Sequence, residues 1–320
     1  MSDHHPTSQP NVATEEARPD LSIVIIEWNT IDLLRDCLAS VFANQGGLKI
    51  EVIVVDNDSH DGSPDMVESE FPEVIQIRNA DNRGFAAANN QGFDICTGRH
   101  VLLLNSDTYV IGDVLAASVR YLDQHSDVGA MGCRVLNPDK TMQATCSMWP
   151  RLLDLFFMSS GLWKLKHPRF FGRYQMTNWQ RDNERPVEVI SGCYLMLRQE
   201  VLQQVGQLDE DFFFFGEETD WCKRINTAGW KLMFAPVGEI VHYGSASARK
   251  LNHKRDLMLT DATIRLHRKH SGVLAARVAW MILFGFNLSR AAFWSLRSLT
   301  AGGSASPRAT HFRNVVKGML

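Results

Sequence analysis

"VLLLNSDTYV", residues 101–110, sets four apolar residues in a row and then stops on Asn105, Ser106 and Asp107. A short apolar run without polar alternation reads as a strand buried on both faces, the signature of a parallel sheet covered by helices. Three runs upstream share that character: "LSIVII" (21–26), "EVIVV" (51–55) and "EVIQI" (73–77). Between them lie segments of helical spacing. "IDLLRDCLASVFA" puts Leu33, Leu34, Cys37, Leu38 and Val41 on one face, and "GFAAANNQGFDIC" carries small residues suited to packing on a sheet. Strand and helix alternating in this way specify an α/β fold, a mostly parallel central sheet with helices on both faces, whose ligands bind at the carboxyl ends of the strands.

That rule places a candidate site. The residues after the four strands are Glu27, Trp28 and Asn29; Asp56, Asn57 and Asp58; Asn79, Asp81 and Asn82; and Asn105, Ser106 and Asp107. All four clusters should face one crevice. A turn reading of "DNDSHDGS" is available on composition, but its place at a strand end favours a binding role. Neither GxGxxG nor GxxxxGK[ST] occurs, which disfavours a dinucleotide-binding dehydrogenase and a P-loop NTPase. Without those loops a bound diphosphate needs a divalent cation to neutralise it, and Asp107 beside Asn105 or Ser106 offers hard oxygen ligands for Mg²⁺ or Mn²⁺.

The 320 residues fit one large domain or one with an appendage, and 45% hydrophobic with 22% charged residues is ordinary for a globular chain. Residues 1–20 hold almost no large apolar side chain and read as a disordered tail rather than a signal peptide, so the expected location is cytoplasmic. Six scattered cysteines without a C-x-x-C pair argue for reduced, buried thiols, not a zinc site or disulfide framework. The charge is uneven. Residues 249–320 hold 13 Lys or Arg against Asp256 and Asp261 only, which suits an anionic partner, either a membrane surface or a nucleic acid.

The blocks "SIVIIEWNT", "VVDNDSHDGS", "NRGFAAANNQG", "LLLNSDT", "SGCYLMLRQEVLQQVGQLDEDFFFFGEETDWCKRINTAGW" and "PVGEIVHYGSAS" follow one another between residues 21 and 247. In this order they resemble inverting GT-A-fold glycosyltransferases of family 2, most like the bacterial rhamnosyltransferase branch. The resemblance implies a GT-A catalytic domain over 21–247 and transfer of a sugar, rhamnose from dTDP-rhamnose as first choice, from a nucleotide diphosphate donor to a hydroxyl of a glycan or lipid-linked glycan. It implies that Asp56 accepts from N3–H of the base and that Glu27 and Trp28 line the base and ribose pocket. Asp58, Asn82, Gly84, Asn89 and Ser106 then stand beside the donor. Asp107 is the last acid of a D-x-D element whose first acid is Asn105 here, and His242 matches a position that can supply a second metal ligand; a core histidine is the alternative. Nucleic acid drops out as a partner. The rival from another class is a noncatalytic nucleotide-sugar or glycan-binding module of the same fold.

Inverting transfer is a single in-line displacement and needs a base. "FFFFGEETDW" offers Glu217, Glu218 and Asp220, and the family's E-D-x-D pattern puts the base at Glu218, with Glu217 and Asp220 on the acceptor side. Their alternative is a helix N-terminus, where carboxylates complement the dipole, and Asp220 with Arg224 is spaced as an ion pair. Gly192 in "SGCYLMLR" is expected to let an acceptor approach closely. Residues 148–185, aromatic and basic with Trp163 and Phe170 among them, read either as an acceptor lid or as an insertion with its own core.

The last segment, 248–320, reads as basic apolar helix: "DLMLTDATIRLHRKHSG" and then "VLAARVAWMILFGFNLSRAAFWSLRSL". Only 12 residues separate Arg277 from Arg290, about 18 Å of helix against the roughly 30 Å of a bilayer core. A helix apolar most of the way round is expected to be buried against the lipid interface, a second copy of the chain, or its own catalytic domain. On the lipid reading, Trp280 and Trp294 anchor it and Arg265, Arg268 and Lys269 add attraction, placing the enzyme peripherally on the inner face of the cell membrane.

Overall fold

The computed structural model describes residues 18–162, 171–244, 252–301 and 306–320. The chain runs β1 (Leu21–Glu27), α1 (Ile31–Ala43), β2 (Ile50–Asp56), α2 (Ser63–Glu70), β3 (Ile75–Arg78), α3 (Gly84–Ile95) and β4 (His100–Asn105). It continues through β5 (Thr108–Ile111), α4 (Val114–Gln124), β6 (Val128–Leu136), β7 (Cys146–Ser147), α5 (Leu152–Ser160), β8 (Arg185–Pro186) and β9 (Val189–Ile190). Then come β10 (Tyr194–Arg198), α6 (Gln199–Val205), α7 (Glu217–Thr227), β11 (Lys231–His242), α8 (His253–Ala301) and α9 (Ser306–Met319). Of the expected tail, 1–17 lies outside the described residues. Arg18 and Asp20 are already bonded to the body, through Arg18 Nε to the Thr97 carbonyl at 2.8 Å and Asp20 N to the Lys49 carbonyl at 2.8 Å.

The main sheet has the order β3-β2-β1-β4-β10-β6-β11-β5, with β8 beside β11. β3, β2, β1 and β4 are parallel; β10 runs antiparallel between β4 and β6, and β5 antiparallel beside β11. The unbroken apolar runs follow from burial on both faces. Leu21, Ile23 and Ile25 of β1 and Leu102 and Leu104 of β4 enter a core with α1, α2 and α4. Val24, Val101 and Leu103 point the other way, into a core with α3, α6 and α7. All six cysteines are free and buried.

Within 148–185, the described residues Trp149 and Trp179 tie the segment to its neighbours. Trp179 packs edge-on against Phe234 of β11 with centroids 4.7 Å apart, while Trp149 joins Phe212, Ala262 and Leu266 in a third small core. Trp163 and Phe170 lie outside the described residues, as does the 247/248 boundary.

Gly272 has φ 87° and ψ 175°, so α8 is two helices joined at a break, where the sequence read as continuing. α9 lies against both. A Cβ on Gly318 would meet Leu257 Cδ1 at 2.5 Å, His311 Nε2 lies 3.0 Å from Asp256, and the rings of Phe312 and Phe286 are 6.3 Å apart. The helix before Gly272 packs on the catalytic domain through Ala262 and Leu266, whereas the apolar helix after it is covered in part by α9, a partner the sequence had not offered. The remainder is open: Leu274 is 75% exposed, Leu296 67% and Leu299 82%, with Met281, Leu288 and Phe293 along the same helix. By length and composition α8 holds one stretch long and apolar enough to cross a membrane.

Candidate active site

The register brings the strand ends together. Glu27 is level with Asp56, Asp56 with Arg78, Ile26 with Asn105, and His242 with Thr108. Asp56 is 3% exposed; its Oδ2 accepts from Ser59 N at 3.3 Å, and its Oδ1 is buried with no partner among the described residues. An orphaned carboxylate oxygen is costly unless a ligand donates to it. Trp28 beside it is more than half exposed, an open aromatic face. Asp58 holds φ 69° and faces His60 at 3.6 Å.

Glu27 does not line the pocket as the sequence suggested. It is fully buried, accepting from Thr30 N (2.5 Å), Thr30 Oγ1 (2.7 Å) and Ser63 Oγ (3.2 Å), and burial pushes its pKa up. It braces the turn into α1 from behind. Thr30 Oγ1 in turn lies 3.1 Å from Ser106 Oγ, linking that turn to the end of β4.

Asn82 accepts from Asn57 Nδ2 and from Gly84 N, both at 3.0 Å, and so shapes the entry to α3. Gly84 has φ 83°, and a Cβ there would meet the Phe213 carbonyl at 2.6 Å, so only glycine admits the aromatic segment this close. Asn89 is buried, donates to the Phe85 carbonyl at 2.8 Å, and keeps its Oδ1 without a partner among the described residues. Gly192 also differs from expectation. A Cβ there would stand 3.0 Å from Leu103 and 3.6 Å from Phe85, so its smallness serves core packing rather than access for an acceptor.

At the centre, His242 Nε2 lies 3.1 Å from Asp107 Oδ1 and 3.3 Å from Asn105 Nδ2. Its other nitrogen, Nδ1, is 2.6 Å from Gln143 Oε1. Gln143 Nε2 already faces two acceptors, Asn137 Oδ1 at 2.9 Å and the His242 carbonyl at 3.4 Å, which leaves Oε1 to accept. His242 Nδ1 therefore carries a proton. In the neutral ring the Nε2 lone pair then points toward the Asp107 carboxylate, and the Asn105 Oδ1 nearby is buried without a partner among the described residues. His242 Nε2, an Asp107 oxygen and that Asn105 oxygen are atoms that can ligate a cation, with Asn105 Nδ2 at 3.3 Å the long donor contact to the imidazole, and a histidine held through its other nitrogen is the usual form of a metal ligand. Among the described residues no group of three or more His, Cys, Asp or Glu forms a closed metal site, so a cation here needs ligand oxygens as well. Gln143 was not singled out by sequence. A glutamine after a strand carries no signal until β6 and β11 pair.

The first turn of α7 supplies the other acids. Glu218 is partly exposed as a residue, yet its carboxyl Oε2 is enclosed without a partner among the described residues. Burial pushes its pKa above the ordinary carboxylate range. Glu217 is 3% exposed and is raised further, by burial and then by the Glu218 charge. Gly216 is the N-cap and makes no side-chain cap bond, while backbone N–H groups of Gly216, Glu218 and Thr219 offset part of the burial at the Glu218 carboxyl, so the helix-terminus alternative holds in part for Glu218. Asp220 is not on an acceptor face at all: it is 0% exposed, bonded to Arg224 Nε at 2.8 Å, Lys269 Nζ at 2.7 Å and His270 Nε2 at 2.7 Å. The ion-pair alternative holds for it. Two thiols register how close the acids stand. Burial pushes Cys193 up to about 12, with the Asp107 and Glu218 charges adding, and Cys37 likewise, with Asp107 and Glu27.

A mixed sheet with acids and amides at one edge, a carboxylate–histidine pair among them and an enclosed carboxyl on α7 is the arrangement that the resemblance to a GT-A-type glycosyltransferase led us to expect. Comparison with known proteins agrees. Residues 22–206 match the model of glycosyl transferase family 2, and the chain belongs to that family. It is 25% identical over 256 residues to the N-acetylglucosaminyl-diphospho-decaprenol L-rhamnosyltransferase of Mycobacterium tuberculosis, covering 73% of this chain and 80% of that one. It is 26% identical over 233 residues to the O-antigen biosynthesis protein RfbC of Myxococcus xanthus, covering 72% of this chain and 18% of that one. In structure it is similar to the mannosyltransferase PcManGT of Pyrobaculum calidifontis in complex with GDP-Man and Mn²⁺ (TM-score 0.58, 17% identity, 98% of this chain and 89% of that one). It is also similar to GalNAc-T7 with UDP, GalNAc and Mn²⁺ (TM-score 0.56, 14% identity, 95% and 56%).

Proposed function

We propose that this chain is an inverting, cation-assisted glycosyltransferase that moves a sugar, rhamnose from dTDP-rhamnose, onto a hydroxyl of a lipid-linked glycan. The reading is carried by two observations together: the enclosed, pKa-raised carboxyl of Glu218, and the Asp107–His242 pair, whose Asp107 charge acts with that of Glu218 on the same Cys193 thiol. The choice of rhamnose and of a lipid-linked acceptor rests on the name of the mycobacterial relative.

Asp56 Oδ1 accepts from the ring N–H of the base, and Trp28 offers its face to base or ribose. Asp107, His242 and the Asn105 oxygen hold the cation, which when bound neutralises charge on the departing diphosphate. The acceptor oxygen attacks the anomeric carbon from the side opposite the diphosphate. As that bond forms and the bond to the diphosphate oxygen breaks, Glu218 takes the hydroxyl proton. A screen of nucleotide sugars for Mn²⁺-dependent release of nucleoside diphosphate tests the class and the donor together; no release from any donor refutes the reading.

Gln143→Leu removes the acceptor that keeps His242 Nδ1 protonated. It should weaken Mn²⁺ affinity by about 10- to 100-fold, as loss of a metal ligand's outer partner does elsewhere. Titration calorimetry with Mn²⁺ and nucleotide checks this, and unchanged affinity removes His242 from the ligand set.

The open stripe on α8 fits a membrane surface of anionic lipid. The segment beyond 248 is strongly basic, and exposed Arg277 and Arg297 flank the exposed leucines. The structure changes which groups do this. Trp280 donates to the Met319 carbonyl at 3.4 Å, Arg308 covers Trp294, Arg265 pairs with Asp211 and Asp261, and Lys269 with Asp209 and Asp220, so none of these four residues is set aside for lipid. Flotation with anionic vesicles should fall with added salt and disappear in Leu288→Asp/Leu296→Asp, whose wild-type side chains are exposed and whose melting temperature should match that of the unaltered chain. A dimer in solution with no flotation at low salt would instead mark the stripe as an interface between copies.

A further inference from the structure

The segment from Asp209 to Asp220 holds the candidate base and touches the donor side of the crevice, yet little regular structure supports it. Phe215 has φ 74° and Gly216 φ 92°, two successive residues in the left-handed region, the first an aromatic residue that occupies it only when its surroundings compel it. Phe213 reaches across to α3, where its carbonyl accepts from Phe85 N at 2.8 Å. A segment of this kind stays in place because something grips its ends.

The grip comes from α8. Lys269 Nζ lies 2.6 Å from Asp209 Oδ2 and 2.7 Å from Asp220 Oδ1, one ammonium joining both ends of the segment. His270, next in sequence, puts Nε2 2.7 Å from the same Asp220 oxygen, and its ring meets Trp149 edge-on at 5.3 Å. The other Asp220 oxygen is held by Arg224, which also donates to the carbonyls of Val205 and Gln207 at 2.9 and 2.6 Å. Asn90 of α3 fixes the near end through the Leu208 carbonyl at 3.0 Å and Glu210 at 2.9 Å. Asp220 lies two residues after Glu218, and its backbone N–H donates to Gly216 O at 2.8 Å, closing the first turn of α7. Moving Asp220 therefore moves Glu218.

We infer that Lys269, supported by His270, is a positioning residue of the active site: by bridging Asp209 and Asp220 it sets where the Glu218 carboxyl stands. The C-terminal segment is then a working part of the catalytic centre, although residues 253–301 lie wholly outside the 22–206 stretch that matches the family. The physical reason is range. A base displaced by even about 1 Å can lose as much as 10²-fold in rate, while binding of a donor at the other strand ends is hardly touched. This inference rests on Glu218 being the base.

The test uses the full chain and the panel donor that the unaltered chain turns over. Lys269→Met should lower kcat for nucleotide release by about 10- to 100-fold, with the donor dissociation constant changed far less. Arg224 and His270 still compensate Asp220 in that variant, so it folds, and its melting temperature should lie above the assay temperature. Lys269→Arg should recover most of the rate, since a guanidinium can also span two carboxylates. The double variant Lys269→Met/Glu218→Gln should be no slower than Glu218→Gln alone, because both changes act through one group. Full additivity, or a Lys269→Met defect confined to donor affinity, overturns the inference while leaving the base assignment standing. A Glu218→Gln enzyme with normal turnover overturns both.

Discussion

Glu218→Gln should lower transfer by roughly 10²- to 10⁴-fold while donor affinity stays near that of the unaltered chain, the range typical of removing a general base. The substitution keeps the side chain's shape and deletes only its capacity to take a proton. Steady-state rates with a nucleotide-binding measurement on the same preparation separate the two effects. The pH dependence carries a second signature. Burial raises the Glu218 pKa, and the base works only when ionised, so the acid limb of kcat should fall above the ordinary glutamate value of about 4.3. Below that limb the carboxyl is protonated and the rate is lost; above it the rate is flat until another group titrates. A near-normal rate in the variant would move the role to Glu217, the other enclosed carboxyl in the same turn.

Asp107→Ala should abolish cation-dependent donor binding and lower turnover by at least about 100-fold, since a bound cation contributes several kcal/mol to neutralising the diphosphate and each 1.4 kcal/mol is tenfold. Among the described residues Asp107 is the one carboxylate paired with His242; Asn105 beside it offers a neutral oxygen. That neutral neighbour concentrates the effect. With two acids, loss of one would leave a partial site, whereas here His242 and an amide oxygen remain. Donor affinity measured with Mn²⁺ and with chelator decides the matter, and equal affinity in the unaltered chain would remove the cation from the mechanism.

Much of this was legible before any coordinates. The four apolar runs became β1 to β4, and the clusters after them line one edge because parallel strands all deliver their carboxyl ends to the same side. The helical character of the C-terminal segment was legible too, though not its break at Gly272. What was not legible were contacts between residues far apart in sequence. Glu27 reads like Asp56, an acid ending an apolar strand, yet Thr30 and Ser63 enclose the first and one oxygen of the second is orphaned. Gly192 reads like an access glycine and is a packing glycine.

Local pattern, then, determined the strands, their common edge and the residue types gathered there, because side-chain periodicity depends only on near neighbours. The tertiary structure alone decided what each acid does. Gln143 meets His242 across 99 residues, and Lys269 meets Asp220 across the β11 strand and the start of α8. Whether a carboxylate is a ligand, a base or a structural anchor depends on the charges and donors within a few ångströms of it, and those come from wherever the folded chain returns.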